Sequence, residues 1–181
     1  MNMDVRTKPT LVGDRVILRP VTADDAPGLL DLVADEEGNR LTGTRPLDLT
    51  LEGAQKWYGS RGDEDDRLDL AVVDTATGEY AGEVVLNELD SDSRSCNFRI
   101  GLRAAFRERG LGSEATRLIV DHAFAIGLHR VELTVYAINP RARRVYEKAG
   151  FVLEGIGRDA LLWEDEWTDA LVMSILETDR K

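Results

Sequence analysis

Two glycines spaced by one residue, Gly110 and Gly112, stand directly in front of an amphipathic helix. From Ala115 onward, apolar residues recur at the i, i+3, i+4, i+7, i+8 and i+11 positions, which predicts a helix that ends at Gly127. The glycines let the backbone approach a ligand closely, and the first free N–H groups of the helix point toward an anion. The segment fits a phosphate cradle, although a tight turn into a helix explains the same spacing equally well.

Two better-known phosphate-binding motifs do not fit this segment. Residues 110–115 (G-L-G-S-E-A) satisfy the pattern G-x-G-x-x-A. The preceding strand is predicted to end near Leu102, however, so the first glycine does not lie in the turn directly after it. Glu132, the candidate ribose contact, falls near the start of its strand rather than at its end. No G-K-[ST] follows the glycines, which excludes a P-loop.

Length, charge and cysteine content limit the classes of protein to consider. A chain of 181 residues buries roughly 70% of its unfolded surface, as expected for one sizeable domain. Its formal net charge of −11 argues against nucleic acid or anionic lipid as partners, and fits either a cationic substrate or simple solubility. The single cysteine, Cys96, excludes an internal disulfide and a cysteine-based zinc site. With no apolar run near about 18 residues and no secretory signal, we expect a cytoplasmic protein without a membrane span or a bound metal.

Hydrophobic periodicity and turn residues predict the order of elements along the chain. Strands are predicted at residues 15–20, 68–73, 79–89, 95–102, 131–136, 151–162 and 167–176. Helices are predicted after Thr22 or Asp24, at residues 51–58, after Gly112 and from Asn139 to Gly150, with loops at residues 39–48 and 59–67. The order predicts one α/β domain, α+β in its layers, with about seven strands and about four helices. Its core is expected at residues 14–176, with flexible tails at 1–10 and 177–181.

Two sequence blocks resemble the GCN5-related N-acetyltransferases (GNAT superfamily). Residues 107–112 (R-E-R-G-L-G) are similar to the family's [QR]-x-x-G-x-[GA], and residues 130–151 are similar to its second block, L-x-V-x-x-x-N-x-x-A-x-x-x-Y-E-K-x-G-F. Both blocks stand at the family's mutual spacing, and the predicted element order agrees with the rest of its fold. The resemblance implies a single domain around a mixed, mostly antiparallel and splayed sheet. Residues 15–20 and 112–115 look most like the RimJ/RimL-like branch, which acetylates α-amino groups of ribosomal proteins.

The resemblance implies an acyltransferase that uses acetyl-coenzyme A as its acetyl donor. In this chemistry a deprotonated primary amine attacks the thioester directly in a ternary complex, and coenzyme A leaves as a thiolate. The implied acceptor is a protein N-terminal amine, with a small-molecule amine such as a polyamine, antibiotic or metabolite as an alternative. A non-catalytic acyl-CoA-binding module of the same fold is the competing class. A homodimer is ordinary for this family.

The same resemblance indicates which residues contact acetyl-CoA. The N–H groups from Arg109 through Ser113 are expected to bind the pyrophosphate. The strand ending at residues 100–102 is expected to hold the pantetheine arm and to polarise the thioester carbonyl with its backbone groups. The complete expected set is Ile100, Leu102, Arg107, Arg109, Gly110, Leu111, Gly112, Ser113, Asn139, Arg143 and Tyr146.

Tyr146 and Asn139 are the residues that the resemblance assigns to catalysis. Tyr146 is expected to be the general acid that reprotonates the thiolate. Without the resemblance, its helical spacing with Ala142 and Ala149 reads as an ordinary core position. Asn139 is expected to hold the pantetheine or a water molecule, and it also suits the N-cap before Pro140. Both roles of Asn139 are compatible with each other.

The general base and the acceptor contacts follow less directly from the resemblance than the cofactor contacts do. The related branch often places a glutamate where this sequence has Asn97, so we expect Glu83 to serve instead, with Glu88, Glu132 or a water chain as alternatives. The resemblance places the loop at residues 41–45 and the hairpin at 158–167 beside the acceptor groove. Expected substrate contacts there are Thr44, Arg45 and Trp163. The hairpin's tryptophans and acidic residues can bind an ammonium group, although a solvated hairpin tip explains them equally well.

Overall fold

The computed structural model describes residues 3–180 and arranges eight strands of this range in one open sheet. The strands are β1 (Leu11–Val12), β2 (Val16–Pro20), β3 (Leu68–Asp74), β4 (Tyr80–Asp90), β5 (Ser95–Leu102), β6 (Arg130–Tyr136), β7 (Val152–Trp163) and β8 (Glu166–Leu176). Their order across the sheet is β1-β2-β3-β4-β5-β6-β8-β7, and the β5–β6 pair is parallel among antiparallel neighbours. The expected α/β class and mostly antiparallel sheet are thereby confirmed, with one strand more than predicted.

Five α-helices flank the sheet within the described range. They are α1 (Ala26–Val33), α2 (Glu36–Thr42), α3 (Leu51–Ser60), α4 (Leu111–Ala125) and α5 (Pro140–Ala149). The ends of α5 follow from local chemistry, because Asn139 caps its N-terminus and Gly150 ends it in the left-handed conformation at φ 104°. In none of these helices is there a segment long and apolar enough to cross a membrane.

Two apolar clusters lie on opposite faces of the sheet. The larger one contains inward residues of β2 to β6 and of β8, such as Leu70 and Val84, under α4 and α5. The smaller one gathers Tyr58, Ala71 and Tyr80 beneath α1 and α3. Side chains alternate between faces along a strand. Consequently Glu83, which follows Gly82 and precedes Val84, faces the α1–α3 layer rather than the larger core.

The sheet opens between its two parallel strands. Pairing of β5 with β6 is confined to Ser95–Asn97 against Arg130–Glu132. Beyond Asn97, β5 continues to Leu102 and β6 continues to Tyr136 without further pairing between them. The backbone groups of residues 98–102 that face β6 therefore have no strand partner in the described part of the chain.

The predicted loop at residues 39–48 is wrong in its first part. Asn39 to Thr42 belong to α2, which begins after Asp35 and ends at Gly43 with φ 66°. Glu36 and Glu37 occupy the first turn of this helix, where negative charge interacts favourably with the helix dipole. The predicted loop at residues 59–67 also begins inside α3, and its Arg61 is only 8% exposed.

The surroundings of the N-terminal segment, Cys96 and His122 complete the description of the fold. Within the N-terminal segment expected to be flexible, Val5 is buried and Lys8 donates hydrogen bonds to the carbonyl groups of Glu64 and Arg67. Burial raises the pKa of the Cys96 thiol to about 12, as suits a small residue inside a strand. His122 is half-buried on α4, where burial lowers its pKa.

Candidate functional site

The cradle segment, residues 107–113, is fixed by contacts with the side chains of Arg15 and Asp74, which are distant in sequence. Gly110 lies at the N-cap of α4 with φ 77°, and no side chain caps the first N–H groups of the helix. The Arg15 guanidinium donates to the Arg109 carbonyl at 2.9 Å, and the Arg109 guanidinium donates to Asp74 at 2.9 Å. Because Asp74 is buried, this ion pair fixes the loop that precedes α4. The uncapped N–H groups form a site that fits a phosphate.

Glu114 carries a negative charge in the first turn of α4, where it could repel a bound anion. Its carboxylate instead accepts hydrogen bonds from the backbone N–H groups of Asp14, Arg15 and Val16 at 3.2, 2.7 and 2.8 Å. These bonds hold the turn between β1 and β2 against α4. The carboxylate is therefore engaged in joining elements of the fold, and the field at the start of α4 remains favourable for an anion.

The arginine side chains expected to contact the cofactor are engaged within the protein. Arg107 donates to the Leu102 carbonyl at 3.1 Å and pairs with Asp35, so it joins the end of β5 to the start of α2. Arg143 pairs with Glu147 at 2.8 Å along α5. Together with the Arg109 pair, these contacts leave the backbone N–H groups as the principal anion donors of the cradle.

Ile100 and Leu102 line the passage from the cradle into the opening of the sheet. A Cβ atom added to Gly112 would lie 3.3 Å from Leu102 Cδ1 and 3.9 Å from Ile100 Cδ1. A larger residue at position 112 would thus crowd both side chains. The passage continues along the unpaired edge of residues 98–102, where backbone donors and acceptors can bind an extended chain such as a pantetheine arm.

Tyr146 combines a packed ring with an accessible hydroxyl. Its ring makes edge-to-face contacts with Phe98 and Phe151 at centroid distances of 6.1 and 6.0 Å. Burial raises the pKa of Tyr146 to about 12. Among residues 3–180, every fully buried side-chain nitrogen or oxygen atom has a hydrogen-bond partner. The Tyr146 hydroxyl has no such partner there, so it is not fully buried and reaches the surface. The ring of Tyr146 thus fits the core interpretation, and its hydroxyl remains available for the expected role as general acid.

Asn139 uses only part of its side chain to cap α5. Its Oδ1 accepts a hydrogen bond from the Ala142 N–H at 3.2 Å. The amide nitrogen takes no part in this bond and keeps two donors at the mouth of the opening between β5 and β6. Capping therefore leaves the amide nitrogen of Asn139 for the ligand contact that the sequence predicts.

Glu83 accepts a hydrogen bond from the first of two linked tyrosine hydroxyl groups, which the sequence did not indicate. The Tyr58 hydroxyl donates to Glu83 Oε2 at 2.7 Å and lies 2.6 Å from the Tyr80 hydroxyl. Across the sheet, Glu83 is directly opposite Gly101 of β5. Burial raises the pKa of the Glu83 carboxyl, which moves a glutamate toward the range useful for a base near neutral pH.

The alternative bases have different surroundings. Glu88 is exposed, with φ 51°, and Glu132 pairs with Arg130 on the same strand. Asn97, at the position where the related branch has a glutamate, donates to Asn87 Oδ1 at 3.0 Å. Glu83 is distinguished from Glu88 and Glu132 by its tyrosine hydroxyl partner.

A cavity of about 230 Å³ lies at the β7–β8 hairpin. It is lined by Arg40, Ile138, Trp163, Glu164, Glu166, Trp167 and Thr168. Of the three expected substrate contacts, Trp163 lines this cavity, whereas Thr44 and Arg45 do not. Arg45 stacks on the Trp163 ring at 4.7 Å, and the Thr44 hydroxyl lies 2.8 Å from that of Thr42. The loop that carries Arg45 thus contacts the β7–β8 hairpin beside the cavity.

Comparison with known proteins gives one consistent family. The model of the acetyltransferase (GNAT) domain matches residues 15–152. The probable N-acetyltransferase YjcK of Bacillus subtilis (strain 168) is 32% identical over 178 residues, covering 93% of this chain and 98% of its own. The spermidine N(1)-acetyltransferase of Escherichia coli (strain K12) is 26% identical over 163 residues, covering 90% and 86%. The crystal structure of Vibrio cholerae spermidine N-acetyltransferase with CoA and spermine has the same fold, with a TM-score of 0.84, 22% identity and coverage of 92% and 98%.

Proposed function

The chain belongs to the acetyltransferase (GNAT) family, and from this premise we propose that it acetylates a small primary amine that carries a second positive charge. It is an N-acetyltransferase with acetyl-CoA as the donor. Polyamines are the acceptor class with this charge pattern that the relatives named as spermidine acetyltransferases suggest. Residues 14–176 form the catalytic domain in this proposal.

The single observation that carries the acceptor class is the cavity at the β7–β8 hairpin. Its lining residues include two tryptophans, Trp163 and Trp167, and two glutamates, Glu164 and Glu166. Aromatic faces and carboxylates both attract ammonium groups. Arg40 also lines the cavity, but its guanidinium pairs with Glu37 at 3.0 Å. The net charge of −11 further favours the approach of a polycation.

Acetyl-CoA, when bound, supplies the activated acetyl group as a thioester. The N–H groups of residues 109–113 bind its pyrophosphate, as the uncapped start of α4 allows. Ile100 and Leu102 flank the pantetheine path, and the unpaired backbone edge of β5 hydrogen-bonds the arm and polarises the carbonyl. The free amide nitrogen of Asn139 donates to the same arm or to a water molecule.

Glu83 and Tyr146 carry out the proton transfers of the reaction, Glu83 as the base and Tyr146 as the acid. Glu83 accepts one proton from the ammonium group, which leaves a nucleophilic amine. Tyr146 gives its hydroxyl proton to the departing sulfur, and the second proton lost from nitrogen on amide formation restores the phenol. Its pKa of about 12 keeps the Tyr146 hydroxyl protonated, and therefore able to donate, at neutral pH. The raised pKa of Glu83 makes it a stronger base than a solvated carboxylate.

A panel of acceptors tests the amine class. Initial rates are measured with spermidine, putrescine, butylamine and an alanine-initiated tetrapeptide, the last representing the competing ribosomal-protein acceptor. We expect kcat/KM for spermidine or putrescine to exceed that for butylamine by about tenfold, as one additional ion contact implies. Equal values for butylamine and the two polyamines, or a preference for the peptide, would overturn the polyamine proposal.

Matched hairpin variants test whether the cavity binds the second charge. Glu164→Gln combined with Glu166→Gln is expected to raise KM for spermidine while leaving KM for butylamine unchanged. Asp165→Asn removes a charge from the same hairpin tip, outside the cavity lining, and asparagine tolerates the φ of 64° found there. An equal rise in KM in the Asp165→Asn variant would indicate a general effect of charge rather than binding in the cavity.

A further inference from the structure

Three polar groups from two distant parts of the chain form a continuous hydrogen-bonded row. Tyr58 comes from the last turn of α3, Tyr80 from the first position of β4, and Glu83 from the same strand. The two hydroxyl groups are 2.6 Å apart, and Tyr58 is 2.7 Å from the Glu83 carboxyl. Tyr58 is 1% exposed and Tyr80 is 9% exposed. Burial of this kind makes an unsatisfied hydroxyl costly, so the row is a specific arrangement rather than a chance surface contact.

The ionised carboxylate determines the direction of every proton in this row. A carboxylate only accepts, so the single proton of the Tyr58 hydroxyl points to Glu83. The Tyr58 oxygen is then the acceptor in its contact with Tyr80, whose own proton must point to Tyr58. Two aligned O–H dipoles therefore end on the carboxylate, and each strengthens the other inside the protein.

We propose that Tyr58 is a positioning residue that holds the Glu83 carboxylate for proton uptake from the amine, with Tyr80 orienting the Tyr58 hydroxyl. This inference rests on the proposed role of Glu83 as the base. Apart from the bond to Tyr58, Glu83 has no side-chain hydrogen bond among the described residues. The row also explains how a carboxyl that burial tends to neutralise remains available in its ionised form.

Charged groups on neighbouring strands also act on Glu83. Asp69 on β3 raises the pKa of Glu83, while Arg99 on β5 and Arg67 before β3 lower it. The α1 layer contributes Leu32, whose side chain lies 3.4 Å from the Cβ position of Gly101, opposite Glu83. These groups are present whether or not residue 58 has a hydroxyl. Removal of that hydroxyl therefore isolates its own contribution to the titration of Glu83.

Tyr80 lies at the outer end of the row, beside other charges. It lines a cavity of about 760 Å³ next to α1, together with Asp25 and Arg103. Asp25 raises the pKa of Tyr80 and Arg103 lowers it, while burial has the largest effect and raises it. Both tyrosines consequently remain protonated near neutral pH and act as donors there. In the hydrogen-bonded row, Tyr80 is linked to Glu83 through the Tyr58 hydroxyl.

Direct titration of Glu83 tests the inference. The full-length protein is labelled with ¹³C-carboxyl glutamate, and the Glu83 resonance is identified by its loss in Glu83→Gln. We expect Tyr58→Phe to raise the pKa of Glu83 by about one unit, as loss of a hydrogen bond to a charged group implies. Tyr80→Phe keeps the Tyr58–Glu83 bond and is expected to raise the pKa by less. Tyr136→Phe, which removes a hydroxyl elsewhere on the sheet, serves as the control.

Kinetics connect the titration to the reaction. In Tyr58→Phe, the acid limb of the kcat/KM profile is expected to move to higher pH with the Glu83 resonance, while KM for acetyl-CoA stays unchanged. A Glu83 pKa that is unchanged in both tyrosine variants overturns the inference. Full activity of Glu83→Gln overturns the proposed base instead, and with it the catalytic meaning of the row. Should Tyr58→Phe fail to fold, the smaller shift in Tyr80→Phe decides the question.

Discussion

The cofactor side and the acceptor side of this molecule are built in opposite ways. The proposed cradle uses backbone N–H groups of residues 109–113, while the side chains of Arg109 and Arg107 pair with Asp74 and Asp35. The acceptor side that we propose uses side chains from separate segments, with Tyr58 on α3, Glu83 on β4 and Trp163 at the hairpin. One side depends on backbone conformation, and the other depends on side-chain identity.

This difference predicts which substitutions affect which step. A backbone site tolerates changes of side chain, provided that the chain keeps its conformation and the supporting contacts remain. A side-chain site can lose its function through one isosteric substitution while the fold is unchanged. Conservative variants should therefore reduce kcat on the acceptor side, and changes at glycines or supporting residues should weaken acetyl-CoA binding on the cradle side.

The largest expected effect is that of Glu83→Gln. Loss of the proposed general base should lower kcat by about 10²- to 10⁴-fold, with acetyl-CoA affinity unchanged in calorimetric titration. In the unmodified protein, the acid limb of kcat/KM should lie above the ordinary glutamate range, because burial raises the pKa of Glu83 and the protonated form cannot accept a proton. Glu88→Gln and Glu132→Gln are the controls, and a comparable loss in either one would transfer the role away from Glu83.

Tyr146→Phe should have the next largest effect. Removal of the proposed acid leaves the ring packed on Phe98 and Phe151, so stability and acetyl-CoA affinity should change little. We expect kcat to fall by roughly 10²-fold. Because the pKa of Tyr146 is about 12, its deprotonation should not limit kcat in the unmodified protein below that pH. Turnover that is unchanged by the substitution would remove Tyr146 from the mechanism.

The contrast between the two sides also explains what could be predicted from the sequence. The cradle and the start of α5 are local features, in which Gly110 and Asn139 act on residues within a few positions of themselves. Strands β3 to β8 follow from local alternation and turn residues in the same way. The second sequence block then places Tyr146 at the correct spacing from the cradle.

Features that depend on distant contacts were not predictable. Tyr58 is 22 residues from Tyr80 and 25 from Glu83, and the three meet only because α3 packs on the face of the sheet that Glu83 shares. Helix α2 was missed because its seven residues contain a single large apolar side chain, Leu41, and thus show no periodicity. Its stability comes from contacts such as the pair between Asp35 and Arg107.

On the cradle side, Gly110→Ala should weaken acetyl-CoA binding by about tenfold. Gly110 has φ 77°, and a left-handed conformation costs about 1–2 kcal/mol for a residue with a Cβ atom. The new Cβ would also lie 2.8 Å from Arg15 Nη1, which holds the Arg109 carbonyl. Isothermal titration with acetyl-CoA measures the loss. Gly78→Ala is the control, since it has φ 74° in the exposed β3–β4 turn, and an equal loss there would indicate general destabilisation.

Asp74→Asn should have a smaller effect on the same equilibrium. The substitution weakens the ion pair that fixes Arg109, while the amide oxygen can still accept from the Ala76 N–H in the β3–β4 turn. We expect a severalfold rise in the dissociation constant for acetyl-CoA, on the order of 1 kcal/mol. KM for the amine should not change. A change confined to the amine would contradict the separation of the two sides.

The smallest expected effect is a gain in stability that depends on pH. The pKa of Glu83 is higher in the folded protein than in the unfolded chain, so the folded state binds the proton more tightly. Stability from this group is complete below the unfolded pKa and is lost as pH rises through the folded value. Glu83→Gln, which stays neutral, should therefore raise the melting temperature relative to the unmodified protein at pH 8, and the difference should shrink as pH falls toward the ordinary glutamate pKa of 4.5. A difference independent of pH would mean that packing, rather than ionisation, separates the two proteins.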